Sequence, residues 1–229
     1  MLAAIYDIHG NLPALEAVVA DAEAVGVDRF LLGGDYASLG CWPVETVERL
    51  RSLPTAGWLR GNWERWQVSP QDAPDHPFIE AAGRWVREAI GSLAAELGAL
   101  PETAVVDGTL FCHASPISDM RTFMPEAGDD EAELLAGVAQ PRVVFGHSHL
   151  QFRRVNNGGV ELVNAGSVGL PFDGDHRAAY ALIRDDGVEL RRVAYDHEAY
   201  AVTVRERMGA LGDDIAQRIE AALPPPSVS

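Results

Sequence analysis

Cysteine and lysine are the residues that this sequence lacks most clearly. Only two cysteines occur, Cys41 and Cys112, which permits one disulfide at most and excludes a metal cage built from several thiolates. Lysine is absent, so all 18 basic residues are arginine, and no functional conclusion follows from that bias. A metal site in this chain would depend on histidine, carboxylate and amide ligands.

Long apolar runs and an excess of positive charge are missing as well. No stretch approaches the roughly 18 apolar residues of a membrane span, so we expect no membrane association. The opening MLAAIYDIHG has no basic leader, which argues against a secretion signal and predicts a cytoplasmic protein. The net charge of −16 would repel long nucleic acids unless bound cations reversed the local field, so we do not expect them as partners.

The length and composition of the chain indicate one globular domain. The 229 residues are 47% hydrophobic and 23% charged, as in an ordinary globular protein, and no linker divides them. We expect a single domain over residues 1–223. The remaining PPPSVS, residues 224–229, is expected to be a disordered tail.

The first half of the sequence alternates between strand and helix patterns. Apolar strands are predicted at 2–7, 29–34 and 56–61. A helix capped by Asn11 and another opened by Pro43 separate them, and a long helix is expected from Phe78 to Leu97. Such alternation is typical of a largely parallel sheet.

The second half of the sequence has a β-rich pattern. A hairpin is expected around Asp107 and Gly108, and a short helix near 129–138. Later segments, separated by Asn-Gly, Gly and Asp-Gly turns, predict antiparallel hairpins, and residues 196–223 are expected to be helical. We therefore expect a parallel half followed by a hairpin-rich half.

Two histidines stand together in VVFGHSHL, directly after a β-branched run. If the chain stays extended, His147 and His149 point the same way and both rings face one spot. Two surface histidines on a turn would give the same pattern. The other metal-competent side chains also follow predicted strands: Asp7, His9, Asp35, Asn62 and His113.

Loops at the carboxyl ends of strands in an open α/β sheet converge on one crevice, so these seven residues form one plausible constellation. Imidazole, carboxylate and amide ligands together favour Mn, Fe, Zn, Co or Ni over Ca or Mg alone. Seven ligands are too many for one ion. They suit two ions that share a carboxylate.

This ordered set resembles the calcineurin-like metallophosphoesterase superfamily. The matching motifs are DIH (7–9), GD (34–35), GN (61–62), His113 and GHSH (146–149). DIHGNLPALEAV and NAGSVGLP (164–171) are similar to the small bacterial and archaeal phosphodiesterase branch, and the resemblance extends from residue 3 to about residue 183.

The resemblance implies a fold, a metal site and a reaction. The fold would be a two-sheet β-sandwich flanked by helices, in four αββα layers. One divalent ion would be held by Asp7, His9, Asp35 and His149, and the other by Asp35, Asn62, His113 and His147. Asp35 would bridge the ions, with manganese favoured and iron, nickel, cobalt or zinc as alternatives. A hydroxide between the ions would attack phosphorus, which gives Asp35, Asn62 and His147 catalytic roles. Glu64 is a further catalytic candidate.

The sequence departs from the family at GNWERW (61–66). Many members have a histidine after Gly-Asn that contacts the phosphoryl group or protonates the leaving oxygen, whereas this chain has Trp63. An indole donates only a weakly acidic N–H. In those members an acidic residue next to the histidine orients its ring, and Glu64, the acid at this place, has no histidine beside it. We expect a preference for leaving groups of low pKa or for diesters. Trp63 would line the substrate pocket, either as a wall or stacked on a nucleobase.

The expected activity is hydrolysis of phosphodiesters, and also of phosphomonoesters, in small phosphorylated molecules. A phosphoprotein or nucleotide phosphatase is one alternative, and a non-catalytic scaffold that keeps the fold and binds a partner is another. Because all seven ligand positions are filled, we favour the enzyme. The sequence leaves open the physiological substrate, the metal in vivo, the oligomeric state and whether residues 69–77 form a lid.

Overall fold

The computed structural model describes residues 1–184 and 186–224. In chain order its strands are β1 (Leu2–Ile5), β2 (Arg29–Leu32), β3 (Thr55–Trp58), β4 (Thr103–Val106), β5 (Thr109–Cys112), β6 (Arg142–Phe145), β7 (Phe152–Val155), β8 (Glu161–Asn164), β9 (Ala178–Arg184) and β10 (Gly187–Val193). They form two five-stranded sheets, in the orders β10-β9-β1-β2-β3 and β4-β5-β6-β8-β7.

The helices lie mainly between strands. They are α1 (Leu12–Ala24), α2 (Pro43–Arg51), α3 (Asn62–Val68), α4 (Pro77–Ile90), α5 (Leu93–Gly98), α6 (Glu131–Leu134), α7 (His197–Met208) and α8 (Ala210–Ala221). A single 3-10 turn occupies Pro70–Asp72. At the start of α1 the Asn11 side chain accepts a hydrogen bond from the Ala14 N–H at 3.1 Å, as the sequence predicts.

Alternation along β1 explains why the two sheets stack. Leu2 and Ala4 are buried against the second sheet, in a cluster that includes Phe111 of β5. Ala3 and Ile5 point to the opposite face and pack on α1. The outer face of the second sheet is covered by α6 and the chain before it. The expected α/β sandwich with flanking helices is confirmed.

The predicted hairpins are present, since β4 pairs antiparallel with β5, β7 with β8, and β9 with β10. The second half also contains parallel pairs, which the sequence did not predict. β1, β2 and β3 are parallel in one sheet, but β5, β6 and β8 are parallel in the other. The hairpin of β9 and β10 returns to the first sheet and places β9 antiparallel beside β1. Turn residues indicate which consecutive strands pair, whereas sheet membership depends on contacts between distant segments.

Glycines interrupt two predicted helices. The helix expected from Phe78 to Leu97 is α4 and α5, separated at Gly91 with φ of 53°. Residues 196–223 form α7 and α8, which meet at Gly209 with φ of 59°. Left-handed backbone ends a right-handed helix, and glycine adopts it at low cost. The helix expected near 129–138 is limited to α6, and α3 was not predicted.

The single-domain assignment to residues 1–223 stays a prediction. Of the predicted tail 224–229, Pro224 is exposed and outside any helix or strand, and residues 225–229 lie outside the described part of the chain. Within residues 1–184 and 186–224, every helix is too short or too polar to span a membrane.

Candidate metal centre and substrate cavity

The seven predicted ligands meet at one end of the sandwich. Asp7 and His9 follow β1, Asp35 follows β2, and Asn62 begins α3 after β3. The second sheet supplies its residues from the ends of two strands, with His113 after β5 and both His147 and His149 after β6. The site therefore lies where the carboxyl ends of parallel strands from both sheets converge.

Left-handed backbone turns direct these side chains. Five of the seven have positive φ: Asp7 (52°), His9 (50°), Asp35 (57°), His147 (65°) and His149 (58°). The assumption that the chain stays extended from 147 to 149 is therefore wrong. A non-glycine residue in this region costs about 1–2 kcal/mol, so five of them together indicate a functional constraint.

Gly34 shows how tightly the backbone packs here. Its φ is 101°, and a Cβ at this position would lie 2.6 Å from the Gly61 amide nitrogen and 2.8 Å from His113 Nδ1. Any larger residue would push the neighbouring loop and the His113 ring aside. Glycine before Asp35 is thus a packing requirement of the site.

Each of the two carboxylates divides its oxygens between the backbone and the imidazoles. Asp7 Oδ2 accepts the His147 N–H at 2.8 Å, and Asp35 Oδ1 accepts the Trp63 N–H at 3.0 Å. Asp7 Oδ1 lies 3.5 Å from His149 Nε2 and 3.9 Å from both His9 Nε2 and His113 Nε2. It is buried and accepts no hydrogen bond within the described residues.

Asp35 Oδ2 lies between histidines of the two predicted ligand sets. It is 3.9 Å from His9 Nε2 and 3.5 Å from His113 Nε2. This position agrees with the predicted bridging role, although Asp7 Oδ1 also approaches both rings. Burial raises the pKa of Asp35, and the negative charges of Glu64 and Asp7 raise it further. A bound cation would favour the ionised carboxylate.

The imidazoles are oriented by backbone carbonyls. Nδ1 of His9 faces the Ser38 carbonyl at 3.2 Å, that of His113 the Gly33 carbonyl at 2.9 Å, and that of His149 the Leu170 carbonyl at 2.5 Å. A carbonyl oxygen only accepts, so in each neutral ring Nδ1 donates and Nε2 keeps a lone pair. Three lone pairs therefore point into the site.

Those lone pairs face other acceptors. His9 Nε2 and His149 Nε2 are 3.2 Å apart, and His113 Nε2 is 3.0 Å from Asn62 Oδ1. His147 Nδ1 lies 3.0 Å from the same oxygen. Burial lowers the pKa of His9 to about 3, with His149 adding to the shift, so its ring is neutral near pH 7. Converging acceptors without protons between them suit cations.

The donors form two overlapping groups of a size suited to a metal ion. Asp7, His9 and His149 make one group, and Asp7, Asp35 and His113 make the other. Asn62 adjoins the second group, because its Oδ1 lies 3.0 Å from His113 Nε2, and His147 Nδ1 lies 3.0 Å from the same oxygen. Nitrogen and oxygen donors of this kind fit divalent transition metals. The roles of the individual residues as ligands stay predictions.

Glu64 has a structural position that the sequence did not reveal. Its buried carboxylate accepts the N–H groups of Asp35 (2.8 Å), Tyr36 (2.9 Å) and Gly61 (2.8 Å). Both oxygens are occupied by backbone donors that hold the loops of two ligands. Glu64 therefore positions these loops, and a catalytic role for it stays a prediction.

A cavity of about 400 Å³ opens beside the donors. The candidate ligands that line it are His9, Asp35, Asn62, His147 and His149. Its apolar wall consists of Leu39, Trp63, Trp66, Phe78, Ile79, Met120 and Phe172. Trp63 lines this cavity, and its role in a substrate pocket stays a prediction. The 69–77 segment reaches the cavity through the exposed His76, whose Nδ1 accepts the Phe78 N–H at 3.2 Å and caps α4.

Arg218 of α8 is a cavity residue that the sequence reasoning missed. Its guanidinium carbon lies 4.0 Å from the centre of the Phe78 ring. The signal was its place three residues after Ile215, on the buried side of a predicted helix, where a charged residue is unusual.

The fold and the donor set together are those of a metallophosphoesterase. Residues 1–186 match the calcineurin-like phosphoesterase superfamily domain, and the chain belongs to that superfamily. The resemblance inferred from the motifs, including its small bacterial and archaeal branch, is confirmed.

Similar proteins cover nearly the whole chain. An uncharacterized protein of Methanocaldococcus jannaschii is 29% identical over 234 residues, which cover 91% of this chain and 93% of that protein. A metallophosphoesterase from Sphaerobacter thermophilus superposes with a TM-score of 0.82 at 24% identity, covering 97% of this chain and 98% of its own. A hypothetical protein from Pyrococcus horikoshii superposes with a TM-score of 0.80 at 17% identity, covering 96% of this chain and 98% of its own. The two structures establish the fold.

Proposed function

We propose that this protein is a dinuclear metal-dependent phosphoesterase that hydrolyses phosphodiesters in small molecules. The observation that carries the proposal is the meeting of unprotonated acceptors, above all His9 Nε2 and His149 Nε2 at 3.2 Å beside the buried Asp7 Oδ1. Without cations this arrangement places lone pairs against one another in a buried site, which is costly.

Asp7, His9, Asp35 and His149 would hold one ion, and Asp35, Asn62, His113 and His147 the other. Manganese is the proposed metal, with iron, nickel, cobalt or zinc as alternatives. Two bound cations would lower the pKa of a water molecule for attack on phosphorus and offset charge on the phosphoryl oxygens.

The residues of the chain orient the substrate and limit the entry of water. Nδ2 of Asn62 donates no hydrogen bond within residues 1–184 and 186–224, so it is free to donate to a phosphoryl oxygen. The half-buried His147 lines the cavity next to it. The apolar residues that line the same cavity reduce the local dielectric and strengthen both contacts.

The test is release of p-nitrophenol from bis(p-nitrophenyl) phosphate and from p-nitrophenyl phosphate. Chelator-stripped protein would receive Mn²⁺, Ni²⁺, Zn²⁺ or Mg²⁺ singly. We expect metal-dependent turnover that favours the diester and falls by about 10²- to 10³-fold in Asp35→Asn and His147→Ala.

Asp21→Asn is the matched control, because Asp21 pairs with Arg191 and does not line the cavity. It should keep the activity of the unaltered protein. If metal binding is confirmed but no ion restores turnover of either ester, the hydrolase proposal is overturned and a scaffold function should be sought.

A further inference from the structure

The cavity is larger than a phosphate group requires. At about 400 Å³ it falls in the range of sites for whole small molecules. Half of the residues that line it are apolar, including Trp63, Phe78 and Phe172. A bare phosphate would leave this wall exposed to water, so the wall favours a substrate with an apolar, aromatic body.

Arg218 places a positive charge in that apolar wall. Its side chain contacts the face of Phe78, at 4.0 Å from the ring centre. Stacking on a ring uses the face of a guanidinium and leaves its in-plane N–H donors available. Burial lowers the pKa of Arg218, because a charge is less stable away from water. The negative charge of Asp214 opposes this shift in part.

Arg218 forms no ion pair within the described residues, although the chain is rich in acid. The protein carries 34 acidic residues, and Arg205 of the neighbouring α7 pairs with Glu220 and Asp213. A charge that is partly buried and has no carboxylate at ion-pair distance is stabilised by an anion that offsets its desolvation. The anion that reaches this position enters through the substrate cavity.

We propose that Arg218 binds a second anionic group of the substrate, on an aromatic body that packs against Trp63 and Phe172. In the proposed function the scissile phosphate would lie at Asn62 and His147, which line the same cavity as Arg218. This assignment rests on the proposed phosphoesterase function and adds the substrate class: small aromatic phosphodiesters that carry a further negative charge. Arg218 is thus a specificity-determining residue outside residues 1–186, which the superfamily domain covers.

The experiment compares two p-nitrophenyl diesters that differ in one charge. The second ester group is carboxyphenyl in one and carbamoylphenyl in the other, each as the 3- and 4-isomer, so size is matched. With the metal-loaded protein we expect kcat/KM to be at least about tenfold higher for one carboxylated isomer, as for a charge-assisted hydrogen bond.

Arg218→Met should reduce this carboxylate-to-carboxamide ratio to about one, and Arg218→Lys should retain most of it. The ratio is the readout, because a general loss of activity cancels from it. Circular dichroism melting would verify that both variants fold. Equal ratios in the unaltered protein and in Arg218→Met, for both isomers, would overturn the proposal.

A binding measurement separates this proposal from the proposed function. Calorimetry with 3- and 4-carboxyphenylphosphonate and their carboxamides, which are not hydrolysed, tests Arg218 directly. If no ester is turned over but Arg218→Met selectively weakens binding of a carboxylate, hydrolysis is wrong and the Arg218 site stands. If the esters are turned over but neither assay shows charge selectivity, the phosphoesterase proposal stands and the Arg218 proposal is wrong.

Discussion

Trp63 follows Gly61 and Asn62, at the position where the family pattern described above has a histidine. It is 6% exposed, packs edge-on against Trp66 at 5.1 Å and lines the cavity beside Asn62. An indole N–H is too weakly acidic to protonate a departing alkoxide. We therefore expect kcat/KM to fall steeply across aryl phosphodiesters as the leaving-group pKa rises.

Trp63→His should flatten this dependence and raise kcat/KM for the poorest leaving group by about 10- to 100-fold. Trp66→His is the matched control, since it introduces the same ring one turn along α3 and should leave the slope steep. A flat profile in the unaltered protein would contradict the interpretation.

The sequence predicted which residues meet at the site, because each of the seven ends a strand. It did not predict that the Glu64 carboxylate accepts hydrogen bonds from the N–H groups of Asp35 and Tyr36, which lie in a different loop. Nor did it predict Arg218. Both depend on how separate elements pack, which a local pattern does not encode.

At the scale of elements, an ion pair joins α3 to the loop after β5. Arg65 donates to Asp119 through Nε at 2.6 Å and through Nη2 at 2.8 Å. Burial raises the pKa of Asp119, but the hydrogen bond and charge of Arg65 outweigh it and lower the pKa below its usual value. The stabilisation is therefore present above the usual aspartate pKa and is lost as pH falls through the folded-state pKa.

Asp119→Asn should lower the free energy of unfolding by about 1–2 kcal/mol at pH 6, and the difference should be smaller at pH 3, below the usual aspartate pKa. Urea unfolding at both pH values measures it. The exposed Asp129→Asn makes the same change in net charge and serves as control. A difference that is constant with pH would show that the ion pair contributes no pH-dependent stability.

Element boundaries were predictable where a local signal exists. Asn11 and Pro43 mark helix starts, and Asp107 and Gly108 mark the turn between β4 and β5. The break at Gly91 was missed because the apolar stripe continues across it from α4 to α5. The spacing of apolar residues shows which face of a helix is buried, but it does not show whether one helix continues or a second one begins.

At the scale of the whole molecule, the candidate ligands connect both sheets. They come from loops after β1, β2, β3, β5 and β6. Cations that bind only the folded chain stabilise it by mass action, by about 4 kcal/mol at 1,000 times Kd. For a chain of this size that corresponds to about 8–16 °C in Tm.

Thermal unfolding of chelator-treated protein with and without Mn²⁺ tests this expectation, and the shift should be much smaller in Asp35→Asn. Equal Tm values with and without metal would argue against a site shared by the two sheets. The cytoplasmic location and the absence of long nucleic-acid partners stay predictions.

The return of β9 to the first sheet has a consequence for the order of folding. β1 pairs with β2 on one side and with β9 on the other. The pairing of residues 2–4 is therefore complete only when residues 181–183 are in place. During synthesis β1 therefore presents an open edge to other chains until most of the protein has been made. Such distant pairing slows folding. Asp7 and His9 follow this strand, so two candidate ligands depend on a sheet that is completed only after residues 181–183 have been synthesised.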